Sequence, residues 1–281
     1  MPDKKFQEKH IDTEYGKIYY YRLKSLANGQ AKKPAVLFLH GLSANHTTWE
    51  KGARAVYQAG YKPLIPDLRG HGHSAKRKRK SLYHFKQFSQ DILEILQKEK
   101  VKKTILVGYS FGGSLAIDFS LRHPDKVAGL ILISANHDNP LKYLKLRILV
   151  PFAKAFLLLL SFFVIWHAKK NYYYYQPIKE KGYLKSVWLG FKTMPLSVNF
   201  WMLLMMDELN YRNKLGMIKA PVWIVHSPND PFVTEAEVKD MMSSLPRTKE
   251  IIIDCKSHFL ATGAQEEVNR IVLEYLSKNH L

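Results

Sequence analysis

The sequence predicts an α/β protein: a mostly parallel central sheet flanked by helices on both faces, with a helical cap inserted after the sixth strand. Two observations carry this. In the first half, short apolar runs alternate with longer amphipathic stretches, the pattern of buried parallel strands joined by crossover helices. From about His137 to about Tyr211 the strand signal stops and the chain becomes helical, aromatic and basic, after which the alternation resumes.

Taken in order, Lys17 to Leu23 reads as part of an antiparallel edge hairpin. Ala35 to Leu39, Lys62 to Ile65, Thr104 to Val107 and Ala128 to Ile133 read as buried strands. Trp49 to Ala59, His84 to Lys98 and Gly112 to Arg122 carry helical spacing between them. Past the interruption, Val222 to Val225 and Glu250 to Ile253 are expected strands, and Thr234 to Met242 and Gln265 to Leu276 expected helices. Residues 1–136 and 212–281 are therefore read as one core domain and 137–211 as the cap. No internal repeat is present.

The bulk composition narrows the class. A chain of 281 residues, 46% hydrophobic and 24% charged, has an ordinary globular make-up. One cysteine, Cys255, excludes an internal disulfide and a cysteine-ligated zinc site. Cys255 follows the apolar run Ile251-Ile252-Ile253, which favours a structural thiol over a reactive one. The first ten residues have no apolar core of a secretory signal, so the expected location is cytoplasmic. The net charge of +19 should draw the protein toward polyanions.

The strongest local signal is Gly108-Tyr109-Ser110-Phe111-Gly112-Gly113, directly after an apolar strand and directly before a helix. A G-x-S-x-G turn in that setting pushes the serine hydroxyl out at the carboxyl edge of the sheet, where glycine two residues to either side relieves crowding. A serine hydroxyl is a weak nucleophile without a base, and the base needs a carboxylate to hold its tautomer. Downstream, Asp230 lies in the turn-rich His226-Ser227-Pro228-Asn229-Asp230-Pro231 after one strand, and His258 lies on a loop after the next. Asp138, after an earlier strand, is the alternative acid; Asp254 reads as a solvated turn carboxylate. The other histidines lack metal-ligand spacing, so no metal and no cofactor is expected.

These residues resemble the α/β-hydrolase superfamily, its serine esterases and monoacylglycerol-lipase-like members in particular, whose triad runs serine, acid, histidine along the chain. The resemblance covers essentially the whole chain. Phe38-Leu39-His40-Gly41-Leu42 looks like the family's oxyanion loop, and Asp67-Leu68-Arg69-Gly70-His71-Gly72-His73-Ser74 like its next strand-end loop. It implies an α/β-hydrolase fold, Ser110, Asp230 and His258 as catalytic residues, and the backbone N–H groups of Leu42 and Phe111 as the oxyanion hole. Serine at the elbow argues against dehalogenase and epoxide-hydrolase relatives, whose nucleophile is aspartate.

The cap bears on substrate. Leu141 to Lys192 holds ten Lys or Arg and one acid, Glu180, which disfavours an aminopeptidase site for a substrate amine. Residues 155–166 form a 12-residue apolar run between Lys154 and Lys169-Lys170, too short for a spanning helix but suited to a lid or to a helix lying in a membrane interface. The methionines of Phe200-Trp201-Met202-Leu203-Leu204-Met205-Met206 fit an acyl pocket or plain packing equally. Lys76-Arg77-Lys78-Arg79-Lys80 has no accompanying nucleic-acid-binding fold; with the basic cap it suits anionic lipid headgroups. The expected substrate is a small ester with an apolar acyl chain. An acyl thioester, a carbon–carbon bond substrate, or a non-catalytic ligand-sensing role on the same fold are the alternatives.

Overall fold

The computed structural model describes residues 6–23, 33–139, 193–255 and 258–279, together with Phe152, Ala155 and Leu159. The rest of the apolar run 155–166, Tyr172 to Tyr175 and the basic stretch before Lys192 lie outside the described residues.

Eight strands form one sheet: β1 (Phe6–Thr13), β2 (Gly16–Leu23), β3 (Ala35–Leu39), β4 (Lys62–Pro66), β5 (Thr104–Tyr109), β6 (Val127–Ile133), β7 (Val222–His226) and β8 (Thr248–Ile252). Their spatial order is β1-β2-β4-β3-β5-β6-β7-β8. β1 and β2 pair antiparallel and add to the edge at β4, while β4, β3, β5, β6, β7 and β8 run parallel. The fold is the α/β-hydrolase fold, with its helical cap after β6.

Both faces of the sheet are covered, which is why its central strands read as unbroken apolar runs. Side chains alternate across a strand. Ala35, Leu37 and Leu39 therefore share one core with Phe88 and Ile92 of α2 (Phe85–Lys98) and Leu115 and Phe119 of α3 (Phe111–Arg122). Val36 and Phe38 share the other with Ala53 and Val56 of α1 (Glu50–Gln58) and with Ile271 and Tyr275 of the C-terminal helix, Gln265–Lys278. Each such side chain removed from water contributes about 1.5–3 kcal/mol.

Two edges depart from the sequence reading. β1, the other strand of the expected edge hairpin, was not located from the sequence, because in Phe6–Thr13 only Ile11 is buried and the charged residues between give an edge strand little apolar signature. β8 begins at Thr248 rather than Glu250, since its start is set by backbone pairing of Thr248 with Val222 and not by apolar content.

The insertion leaves and re-enters the core at one place. Asp138 bridges to Asn210, and Tyr211 N–H donates to His137 O at 3.0 Å. Within it, α4 (Leu196–Asp207) buries Val198, Met202, Met205 and Met206 in the same core as Phe111. These methionines are buried against the sheet's own core. Among the described residues, no helix is long and apolar enough to cross a membrane.

Candidate active site

Ser110 stands where β5 gives way to α3, with φ 51° and ψ −118°. A non-glycine residue there costs about 1–3 kcal/mol and persists only where its surroundings impose it. Here Ser110 N–H donates to Ile133 O of β6 at 2.8 Å, and Ser110 O accepts from Gly113 N–H at 2.8 Å. A side chain at Gly108 would put Cβ 2.5 Å from Gly112 O, and one at Gly112 would put Cβ 2.3 Å from Leu39 O. Backbone meets backbone on both sides of the elbow, so the two glycines are a steric requirement.

The neighbouring strand ends bring two more groups to this point. His258, on the loop after β8, has Nε2 2.9 Å from Ser110 Oγ. Its Nδ1 lies 2.8 Å and 2.9 Å from the two carboxylate oxygens of Asp230, on the loop after β7. A carboxylate only accepts, so Nδ1 carries the proton and the Nε2 lone pair faces the serine hydroxyl. Asp230 is itself fixed, because Oδ1 accepts from Phe232 N–H at 2.9 Å and Val233 N–H at 3.1 Å. Burial raises the Asp230 pKa, but the His258 hydrogen bond and charge and the Phe232 N–H together hold it below the usual carboxylate value. The group is ionised at neutral pH. Tyr109 Oη donates to His258 O at 3.2 Å, and the Phe232 ring stands edge-on to the imidazole at 5.1 Å.

Of the two expected oxyanion donors, Phe111 directly follows Ser110, and Leu42 directly follows Gly41, where a Cβ would lie 3.5 Å from Ser110 Cβ. Phe111 opens α3, where a helix supplies no acceptor for its N–H. Leu42 follows Gly41, whose carbonyl accepts from His40 Nδ1–H at 2.8 Å and from Ala44 N–H at 3.2 Å. In a trans peptide N–H and C=O point in opposite directions, so anchoring Gly41 O sets the direction of Leu42 N–H. His40 in turn accepts from Leu68 N–H at 3.1 Å, and burial lowers its pKa to about 4. His71 is likewise held well below the ordinary histidine value, first by burial and then by His40. Both rings are neutral structural parts of the loop. Their role was not read from the sequence, although each precedes a glycine at a strand end, in His40-Gly41 and His71-Gly72.

The other candidates sit elsewhere. Asp138 Oδ1 accepts from Asn139 N–H at 2.8 Å, while His258 Nδ1 is engaged by Asp230. Asp254 is exposed and Cys255 half-buried. In the basic run, Lys76 is half-buried, donates to Gly72 O, and has its pKa lowered by burial to about 8. Among the described residues, no three metal-type side chains converge.

Comparison with known proteins agrees with this architecture. The sequence profile of the alpha/beta hydrolase fold family matches residues 34–262. The chain is 27% identical over 272 residues to the bovine protein ABHD8, covering 95% of this chain and 60% of that protein's length. It is 26% identical over 317 residues to epoxide hydrolase 3 of Xenopus tropicalis, covering 96% of this chain and 80% of that protein. An esterase from Exiguobacterium antarcticum superposes with a TM-score of 0.70 at 19% identity, over 95% of this chain and 98% of its own. With the profile spanning most of its length, the chain belongs to the alpha/beta hydrolase fold family.

Proposed function

We propose that this hydrolase cleaves carboxylic esters with an apolar acyl chain through an acyl-enzyme on Ser110. The observation that carries the reading is the unbroken hydrogen-bonded line from Ser110 Oγ through His258 to Asp230, at 2.9 Å and 2.8 Å. Ser110 Oγ attacks the ester carbonyl while His258 Nε2 takes its proton, and Asp230 stabilises the imidazolium. The tetrahedral oxyanion is met by the N–H groups of Leu42 and Phe111, each worth about 3 kcal/mol in the transition state. His258 then protonates the departing alkoxide to give the alcohol. Water, deprotonated by His258, attacks the acyl-enzyme and releases the carboxylic acid and free Ser110.

Epoxide opening, the activity in the name of the Xenopus relative, fits less well, because the elbow position carries a serine. A panel of p-nitrophenyl esters of rising chain length, run beside acyl-CoA, tests the proposal. Turnover that rises with chain length supports it. Turnover of acyl-CoA alone moves the substrate to thioesters, and absence of any turnover favours a ligand-sensing role.

A second observation favours a lipid surface as the place of work. Phe152 and Leu159 are helical and 73% and 57% exposed. The surrounding sequence from Leu141 to Lys192 carries ten cations against one acid. Exposed apolar side chains among cations match the surface of an anionic bilayer, where each cation adds about 1 kcal/mol. The single cysteine fits the cytoplasmic side. The protein should cosediment with anionic vesicles more than with neutral ones, and less so in Phe152→Asp/Leu159→Asp or as salt rises. Equal absence from both vesicle types at low salt overturns this placement.

A further inference from the structure

A buried hydrogen bond ties the oxyanion loop to the cap. Ser43 directly follows Leu42 and has φ 60°, a left-handed conformation uncommon for a side-chain-bearing residue. Two contacts hold it there. Its N–H donates to His71 Nε2 at 3.1 Å, an acceptor because His71 Nδ1–H is directed at Arg69 O, 3.0 Å away. Its hydroxyl donates to Asn199 Oδ1 at 2.7 Å. The first contact comes from the core, the second from α4 in the inserted segment.

Asn199 stands between Val198 and Phe200 on the helix Leu196–Asp207, whose buried side is otherwise largely apolar. Its side chain is completely buried, and beyond a long 3.4 Å contact of its amide with Pro195 O its partner is Ser43. Burying an amide without a partner is unfavourable, so an apolar residue would suit packing alone better than asparagine does. The polar residue is accounted for by the loop it holds.

We infer that Asn199 is a positioning residue through which the cap sets the oxyanion hole: docking of α4 fixes Ser43, and Ser43 fixes the neighbouring Leu42 N–H. The inference rests on the reading of Leu42 as an oxyanion donor. When α4 is displaced, Ser43 relaxes from its left-handed backbone and the donor swings out of line, while the Ser110–His258–Asp230 line, built on other strand ends, stays intact. Cap position therefore governs transition-state stabilisation rather than nucleophile activation.

The test uses Ser43→Ala, which keeps Cβ and removes only the hydroxyl, and Asn199→Leu, which suits the apolar helix. Amide hydrogen exchange over residues 41–46 and steady-state ester kinetics are measured on the full chain. Exchange there should quicken in both variants with the thermal midpoint little changed. kcat should fall about tenfold, a fraction of what losing a whole oxyanion donor costs, with KM unchanged. The double variant should match either single one, because both break the same bond. Unchanged exchange overturns the latch whether or not the protein turns over esters. Faster exchange with wild-type kcat overturns its link to catalysis. If the unsubstituted protein hydrolyses no ester and Ser110 is not labelled by a fluorophosphonate, the hydrolase reading fails instead, and exchange still decides the latch.

Discussion

Two histidine–aspartate pairs sit at the carboxyl edge of the same sheet, and their geometry is almost the same. His258 Nδ1 lies 2.8 Å from Asp230 Oδ2, and His46 Nδ1 lies 2.8 Å from Asp67 Oδ1. What differs is what else each imidazole touches. His258 presents Nε2 to Ser110 Oγ, whereas the His46 ring is stacked on Tyr21 with centroids 3.6 Å apart. Asp67 is fully buried and spends its remaining capacity on the loop, accepting from His46 N–H at 2.8 Å and His73 N–H at 2.9 Å. An aspartate-held histidine is thus not by itself a catalytic base; the serine hydroxyl at Nε2 is what sets His258 apart in the proposed mechanism. In the proposed mechanism one pair serves chemistry beside a strained serine; the other pins the loop that carries His71.

Removing the charge from each pair separates these roles. Asp230→Asn places an amide donor against His258 Nδ1–H, forces the wrong tautomer, and should lower kcat by about 10⁴ with the fold retained. Asp138→Asn should leave kcat near wild type. The reverse order in measured rates would transfer the acid's role to Asp138.

Asp67→Asn should act on stability instead. Asp67 accepts backbone donors through both oxygens, so an amide there turns one N–H against an NH₂ group in a fully buried site. Unfolding free energy should drop by about 3 kcal/mol, read from chemical denaturation, while most turnover per folded molecule is kept. A large loss of turnover at unchanged stability would show that the two pairs are not distinct.

Acid titration sharpens the same contrast. Burial raises the Asp67 pKa, but the His46 ring and the N–H groups of His73 and His46 more than offset it and hold Asp67 far below its ordinary 3.8. A carboxyl depressed in the folded state contributes stability that is present above the unfolded value and lost as pH falls toward the folded one. Wild-type stability should therefore decline below about pH 4, and the decline should be shallower in Asp67→Asn. In Asp230→Asn the slope should change less, since the Asp230 depression is not among the large ones. Equal slopes in all three proteins would contradict the assignment.

The contrast also explains what the sequence made legible. β3 was bounded at Ala35 and Leu39 because both of its faces are buried and every residue is apolar. Ser110 and Asp230 could be picked out because each follows a strand end marked by glycine, proline or asparagine, and His258 because it lies on the loop after the next strand; such strand ends meet in a parallel sheet. The pair His46–Asp67 and the contact Ser43–Asn199 were missed. Their partners are 21 and 156 positions apart, and a side-chain hydrogen bond between distant residues leaves no period in the chain. Functional side chains set by backbone geometry could be read, whereas those set by one another required the fold.

Reaction with a fluorophosphonate, followed by mass spectrometry of the labelled peptide, tests the central claim most directly. Ser110 should carry the adduct in the wild-type protein, and Ser110→Ala should lose both the adduct and ester turnover, the latter by about 10⁶ if the triad acts as a unit. An adduct on another residue, or full turnover in Ser110→Ala, would contradict the account.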